Sequence, residues 1–99
     1  MKVTLSDSAV EDLRSVLAYY EAEGLPDVGR RLVSDVVARV EELQAHPDIG
    51  RVVPEFGSLA LRELIHPPFR IVYRRREKRV QVVRVWRSER LLRLPPESK

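Results

Sequence analysis

The side chains able to do chemistry in this chain are overwhelmingly guanidinium groups. Of eighteen basic residues three are lysine (Lys2, Lys78 and Lys99), which leaves fifteen arginines. Guanidinium is planar, permanently charged and suited to bidentate recognition of carboxylate or phosphate, so this bias favours a binding surface. A GC-rich coding sequence would enrich arginine, valine, alanine and leucine in the same way, and for the bulk of the arginines both explanations stand. Arg62, Arg70, Arg87 and Arg90 lie on or just after three adjacent predicted strands, and strand pairing is expected to gather them on one side. Trp86 sits among Arg84, Arg87 and Arg90, where its ring can stack on guanidinium groups or on a base. The plainer reading makes Trp86 an anchor at the sheet edge and the arginines a solubilising face bridged to Glu63 and Glu89. Arg74, Arg75, Arg76 and Arg79, around a turn, are read as solvated charge of that kind.

Other chemistries are poorly supplied. There is no cysteine, hence no disulfide framework and no thiol chemistry. His46 and His66 are the only imidazoles and have no metal-ligand spacing, so neither a metal nor any other cofactor is expected. His46 reads as a favourable cation beside a helix end and His66 as a turn residue. The glycines are scattered rather than gathered in a phosphate loop, and Ser6, Ser8, Ser34, Ser58 and Ser88 lack the setting of a nucleophile elbow. Glu21 with Glu23, and Glu41 with Glu42, read as solvated helix faces rather than acid–base pairs.

The elements that must position the arginines follow from periodicity. Residues 1–5 alternate, with Val3 and Leu5 on one side, and predict a short strand. Ser6 and Ser8 are both plausible helix caps, and Ser8 with Glu11 has capping-box spacing. Val10, Leu13, Val16, Leu17 and Tyr20 then recur at helical spacing, and Gly24 with Pro26 ends that helix. Val28, Leu32, Val36, Val40 and Leu43, flanked by Val33 and Val37, mark a second helix that Pro47 stops near His46. Residues 48–58 read as a loop. LALRELI, FRIVYRRR and RVQVVRVWR read as three strands (residues 59–65, 69–76 and 79–87), joined by His66-Pro67-Pro68 and by a tight turn at Arg76-Glu77-Lys78. In the middle strand Phe69, Ile71 and Tyr73 alternate with Arg70, Val72 and Arg74. The tail from Ser88 is expected to pack back through Leu91, Leu92 and Leu94, with residues 95–99 frayed.

The sequence therefore predicts one α+β domain over residues 1–99: an N-terminal strand, an α-helical hairpin, then a three-stranded antiparallel meander whose sheet is covered on one face by the helices. Its other face, rich in arginine, is expected to be partly open. A net charge of +3 conceals a split: residues 1–50 carry five basic and ten acidic side chains, residues 51–99 thirteen and five. No apolar run is long enough for a signal-peptide core or a membrane span, which predicts a cytoplasmic protein with no membrane partner.

AVEDLRSVLAYY, the second helix ending in LQAHPDIGR, the strand pair LRELIHPPFRIVYR, and VVRVWRSERLL, in this order and spacing, resemble the RelE/ParE toxin superfamily along nearly the whole chain. The resemblance implies the architecture above, a cognate antitoxin encoded alongside, and toxicity when that antitoxin is degraded. One branch of the superfamily cleaves messenger RNA on the ribosome; the other, the ParE branch, poisons DNA gyrase and hydrolyses nothing itself. Where RelE-like nucleases carry lysines this chain offers Leu61 and Glu63, and only Arg70 fills a nuclease-like position. No tyrosine or histidine follows Trp86. Arginine is a poor proton shuttle because it stays charged, so the resemblance favours the ParE branch. If the chain were instead a nuclease, Arg70 and Arg90 would stabilise phosphate charge. Arg62, Arg70, Trp86, Arg87 and Arg90 are the candidate contacts to target or antitoxin, whose acidic, ParD-like tail is expected to fold on a basic sheet.

Overall fold

The computed structural model describes residues 1–88. Strand β1 (Lys2–Leu5) leads directly into helix α1 (Asp7–Ala22). Ser6 is the cap: its hydroxyl accepts from the Ala9 N–H and donates to the Val83 carbonyl. Ser8, the alternative cap, lies inside the helix, because Leu5 is still paired with Val82 and the turn must come immediately after. Gly24 follows α1 at φ 76°, a left-handed conformation that favours glycine. Pro26 then opens α2 (Pro26–Glu41) rather than merely ending α1, since a first helical position needs no N–H. A single 3₁₀ turn, Glu42–Gln44, completes the hairpin just short of His46.

Residues expected to form one loop contain a two-residue strand, β2 (Arg51–Val52), which pairs with Glu63 and Arg62. Then come β3 (Leu61–His66), β4 (Phe69–Arg75) and β5 (Arg79–Arg87). The sheet therefore has five strands in the order β1-β5-β4-β3-β2. Antiparallel pairing joins β2 through β5, and β1 lies parallel to β5 at the edge. This is the predicted α+β architecture with one strand more.

Parity along the strands decides what faces the helices. Phe69, Ile71 and Tyr73 of β4 and Leu64 of β3 point inward to meet Ala9, Leu13, Val36, Val40 and Leu43. Strict alternation along β5 would turn Val85 away from Val80 and Val82. A bulge prevents this: Arg84 is opposite Val72 while Val82 is opposite Tyr73, so Val83 is the extra residue. The three valines Val80, Val82 and Val85 thus share the core side, none more than 5% exposed.

Tyr73 locks the crossing chain to this core. Its hydroxyl donates to the Pro47 carbonyl at 2.8 Å and accepts the Gly50 N–H at 2.9 Å. A Cβ at Gly50 would lie 2.7 Å from that ring and from the Glu63 carbonyl, so only glycine permits the approach. Burial raises the Tyr73 pKa, which keeps the phenol protonated as a donor.

Candidate macromolecule-binding site

Beyond Val82, β5 has outrun β1, and no strand among the described residues pairs with this part of its edge. The first turns of α1 supply the hydrogen bonds that another strand would have made. The Ser6 N–H donates to the Val82 carbonyl, the Ser6 hydroxyl to the Val83 carbonyl, and the Val85 N–H to Asp12 Oδ2 at 2.8 Å. Asp12 also accepts two bonds from Arg84, Nε at 2.8 Å and Nη2 at 3.0 Å. That bidentate pair raises the Arg84 pKa further above its already high ordinary range.

Along this edge runs a groove of about 330 Å³ between α1 and β5. Its α1 wall is Asp12, Ser15, Val16, Tyr19 and Tyr20, and its sheet wall includes Phe69, Arg84, Trp86 and Arg87. The two tyrosines meet edge to face at 5.0 Å between ring centres. The Arg84 guanidinium lies 4.9 Å from the centre of the Trp86 ring, and that of Arg87 5.8 Å from Phe69. Arg87 also donates to the Tyr20 hydroxyl at 3.5 Å, a long bond. The groove combines apolar rings with oriented cations, a lining for an amphipathic segment that carries carboxylates.

A second constellation lies on the sheet face opposite the helices. Arg70 is 7% exposed and donates Nε to Glu63 at 2.6 Å and both terminal nitrogens to Glu55 at 2.9 Å. Glu63, only 1% exposed, takes a further bond from Arg51 at 2.7 Å. Every donor direction of Arg70 outside one edge is thus spent on carboxylates. Its hydrogen bonds hold the Glu55 carboxyl down at a pKa of about 2, and the two carboxylates push Arg70 up.

The family model for the ParE toxin of type II toxin–antitoxin systems, parDE, matches residues 3–92. The chain belongs to the ParE toxin family. Its structure is similar to a chain of the chromosomal ParDE toxin–antitoxin system from P. aeruginosa, with a TM-score of 0.75 and 26% identity over 88% of this chain and 95% of that one. Comparison with curated proteins gives no match.

In this ParE-family toxin the arginines singled out in the sequence do not share one face. Arg70 and Trp86 are directly opposite each other in the register and lie on the face away from the helices. Arg62 pairs with Tyr73 and Arg87 with Phe69, so both point to the helix side. The reason is parity: even positions of β3 and odd positions of β4 look the same way, and the β5 bulge shifts the pattern again. Arg62 donates to the Gly50 carbonyl at 3.0 Å, and its buried Nε, 3.8 Å from Asp48, lacks a hydrogen bond among the described residues. Arg90, the tail leucines and residues 95–99 lie outside the described residues, as does Glu89. The sequence names Arg84 only as a neighbour of Trp86, and it assigns no site role to Asp12, Tyr19 and Tyr20. Their signal was available in AVEDLRSVLAYY, where Asp12, Ser15, Val16 and Tyr19 recur at helical spacing on one side of α1.

Proposed function

We propose that the chain poisons DNA gyrase by binding and is held inactive by a cognate antitoxin seated in the α1–β5 groove. Membership of the ParE family and the likeness to a ParDE toxin support the toxin assignment. What favours binding over cleavage is the state of Arg70, the arginine at a nuclease-like position. It is buried and bound to two carboxylates, so it has little left for a phosphate. His66 pairs with Phe69 and therefore faces the helix side, away from Arg70, which leaves that face without an imidazole to move a proton.

Purified protein is expected to inhibit plasmid supercoiling by gyrase and to trap cleaved DNA complexes. Unimpeded supercoiling at high toxin excess, together with cleavage of message on translating ribosomes, would replace this reading with the RelE-like one. For the groove, Tyr19 is 57% exposed and offers a ring to a partner, while Arg84, held by Asp12, and Arg87, bonded to Tyr20, orient guanidinium groups along the sheet wall. An acidic, amphipathic antitoxin tail has the matching chemistry, apolar anchors with carboxylates beside them.

A further inference from the structure

Most arginines of the sheet are neutralised within the molecule. Arg51, Arg62, Arg70, Arg75 and Arg84 each have a carboxylate within 4.0 Å. At one corner of the sheet the pattern fails. Lys2 is beside Arg79 and Thr4 beside Gln81 in the parallel pair, Arg74 is opposite Gln81, and the Arg76 N–H donates to the Arg79 carbonyl at 2.9 Å. Val80 and Val82 point into the core, so Arg79 and Gln81 point away from it. Three neighbouring strands thus build two rungs on the face opposite the helices. One rung is Lys2, Arg79 and Arg76; the other is Thr4, Gln81 and Arg74.

Lys2, Thr4, Arg76, Arg79 and Gln81 line a depression of about 200 Å³ there. Among the described residues none of the four cations has an ion pair, although Glu77 lies in the connecting turn. Like charges directly across strands, spaced roughly 5 Å apart, destabilise a sheet. A fold that pairs most of its other sheet arginines and leaves these facing one another presents a surface suited to an anion. The depression contains no apolar lining residue, so it lacks the anchor that a peptide folding on contact requires. Phosphodiester backbone requires only cations and hydrogen-bond donors, and the hydroxyl of Thr4 and amide of Gln81 supply the donors.

We propose that this corner binds the phosphate backbone of DNA, independently of the α1–β5 groove and of any action on gyrase. Four contacts of this kind release about four counterions, giving a salt slope near −3.6 and an affinity loss of about 150-fold between 50 and 200 mM salt. The test is fluorescence anisotropy of a labelled DNA duplex with the full chain across that salt range. Arg76 and Arg79 are exposed, so the double variant Arg76→Gln/Arg79→Gln is expected to keep the wild-type circular dichroism, with a melting temperature at or above that of wild type because facing like charges are removed. Its salt dependence should shrink to about 12-fold, the value for two contacts. Arg31→Gln, an exposed cation on α2, should bind like wild type. No binding at 50 mM salt, or equal binding by wild type and the double variant, would overturn the proposal. So would polyglutamate competing on a par with unlabelled duplex, which would make the corner a site for an acidic protein segment.

Discussion

At the scale of single residues, the cluster around Arg70 separates charge that builds the fold from charge that meets a partner. Glu63 is almost wholly buried and its two oxygens are held by Arg70 and Arg51. Arg70→Ala therefore leaves a carboxylate short of its partner, and the expected loss in urea unfolding is about 3–5 kcal/mol. The double variant Glu63→Leu/Arg70→Met removes both charges and is expected to recover most of that loss, because a well-packed apolar pair replaces a desolvated one. If toxicity follows stability through both variants, Arg70 acts by holding the sheet; a stable double variant without toxicity would give it a direct role. Glu55 makes a second prediction. Its carboxyl titrates at about 2 in the fold against an ordinary 4.5, so its contribution is fully present above the unfolded value and is lost as pH falls from 4.5 towards 2. The urea midpoints of wild type and Glu55→Gln should differ at pH 6, close most of the gap as pH falls to 2, and meet only below it. Being half exposed, the side chain is screened by solvent and the difference is expected to be small. The Arg70–Glu63 partnership was half legible in the sequence. Both lie on strands of recognisable period, but the sequence makes Glu63 a surface partner, because burial on this face depends on what folds over it. Glu55 was invisible as a partner because it comes from the crossing loop, whose path no local pattern specifies.

At the scale of elements, the open edge of β5 is the feature the fold must manage. β1 is four residues and β5 nine, so a stretch of strand edge has no partner strand among the described residues. An exposed edge is a template for association, and native folds cover or cap it. Here Ser6 and Asp12 do the capping, one as a helix N-cap and the other one turn into the helix. Asp12→Ala removes the acceptor of the Val85 N–H and both bonds from Arg84. The expected cost is about 1–3 kcal/mol of stability, with concentration-dependent association visible by sedimentation velocity. A variant that stays monomeric at high concentration would mean the edge is protected by something other than Asp12. The sequence showed the elements well because their periods are long enough to read: two helices, three strands and the N-terminal strand all stand within a few residues of their expected limits. It could not show β2, since two residues carry no period. It could not place the β5 bulge either, since RVQVVRVWR is compatible with uninterrupted alternation. That one extra residue turns Arg87 to the helix side, opposite Phe69, instead of gathering it with Arg70 as expected.

At the scale of the molecule, an acidic first helix packs on a basic sheet, and the two parts of the α1–β5 groove come from these two layers. Long-range attraction and short-range holding should therefore be separable in the proposed antitoxin complex. Attraction of an acidic tail depends on the summed field of the sheet, which salt screens within a Debye length. Holding depends on rings buried in the groove, which salt does not reach. Raising salt is expected to slow association of the antitoxin with little change in its dissociation. Tyr19→Ala and Trp86→Ala should do the opposite, leaving association nearly unchanged and speeding dissociation by about 30-fold each if these rings behave as buried anchors worth about 2 kcal/mol. Stopped-flow and surface-capture kinetics distinguish the two effects directly. The substitutions are informative because neither ring belongs to the main core: Tyr19 is mostly exposed and Trp86 packs beside Arg84, so a lost partner is not confounded with a lost fold. Unchanged dissociation in both variants would move the antitoxin off this groove, while the capped edge and the buried Arg70 cluster would stand as features of the fold alone.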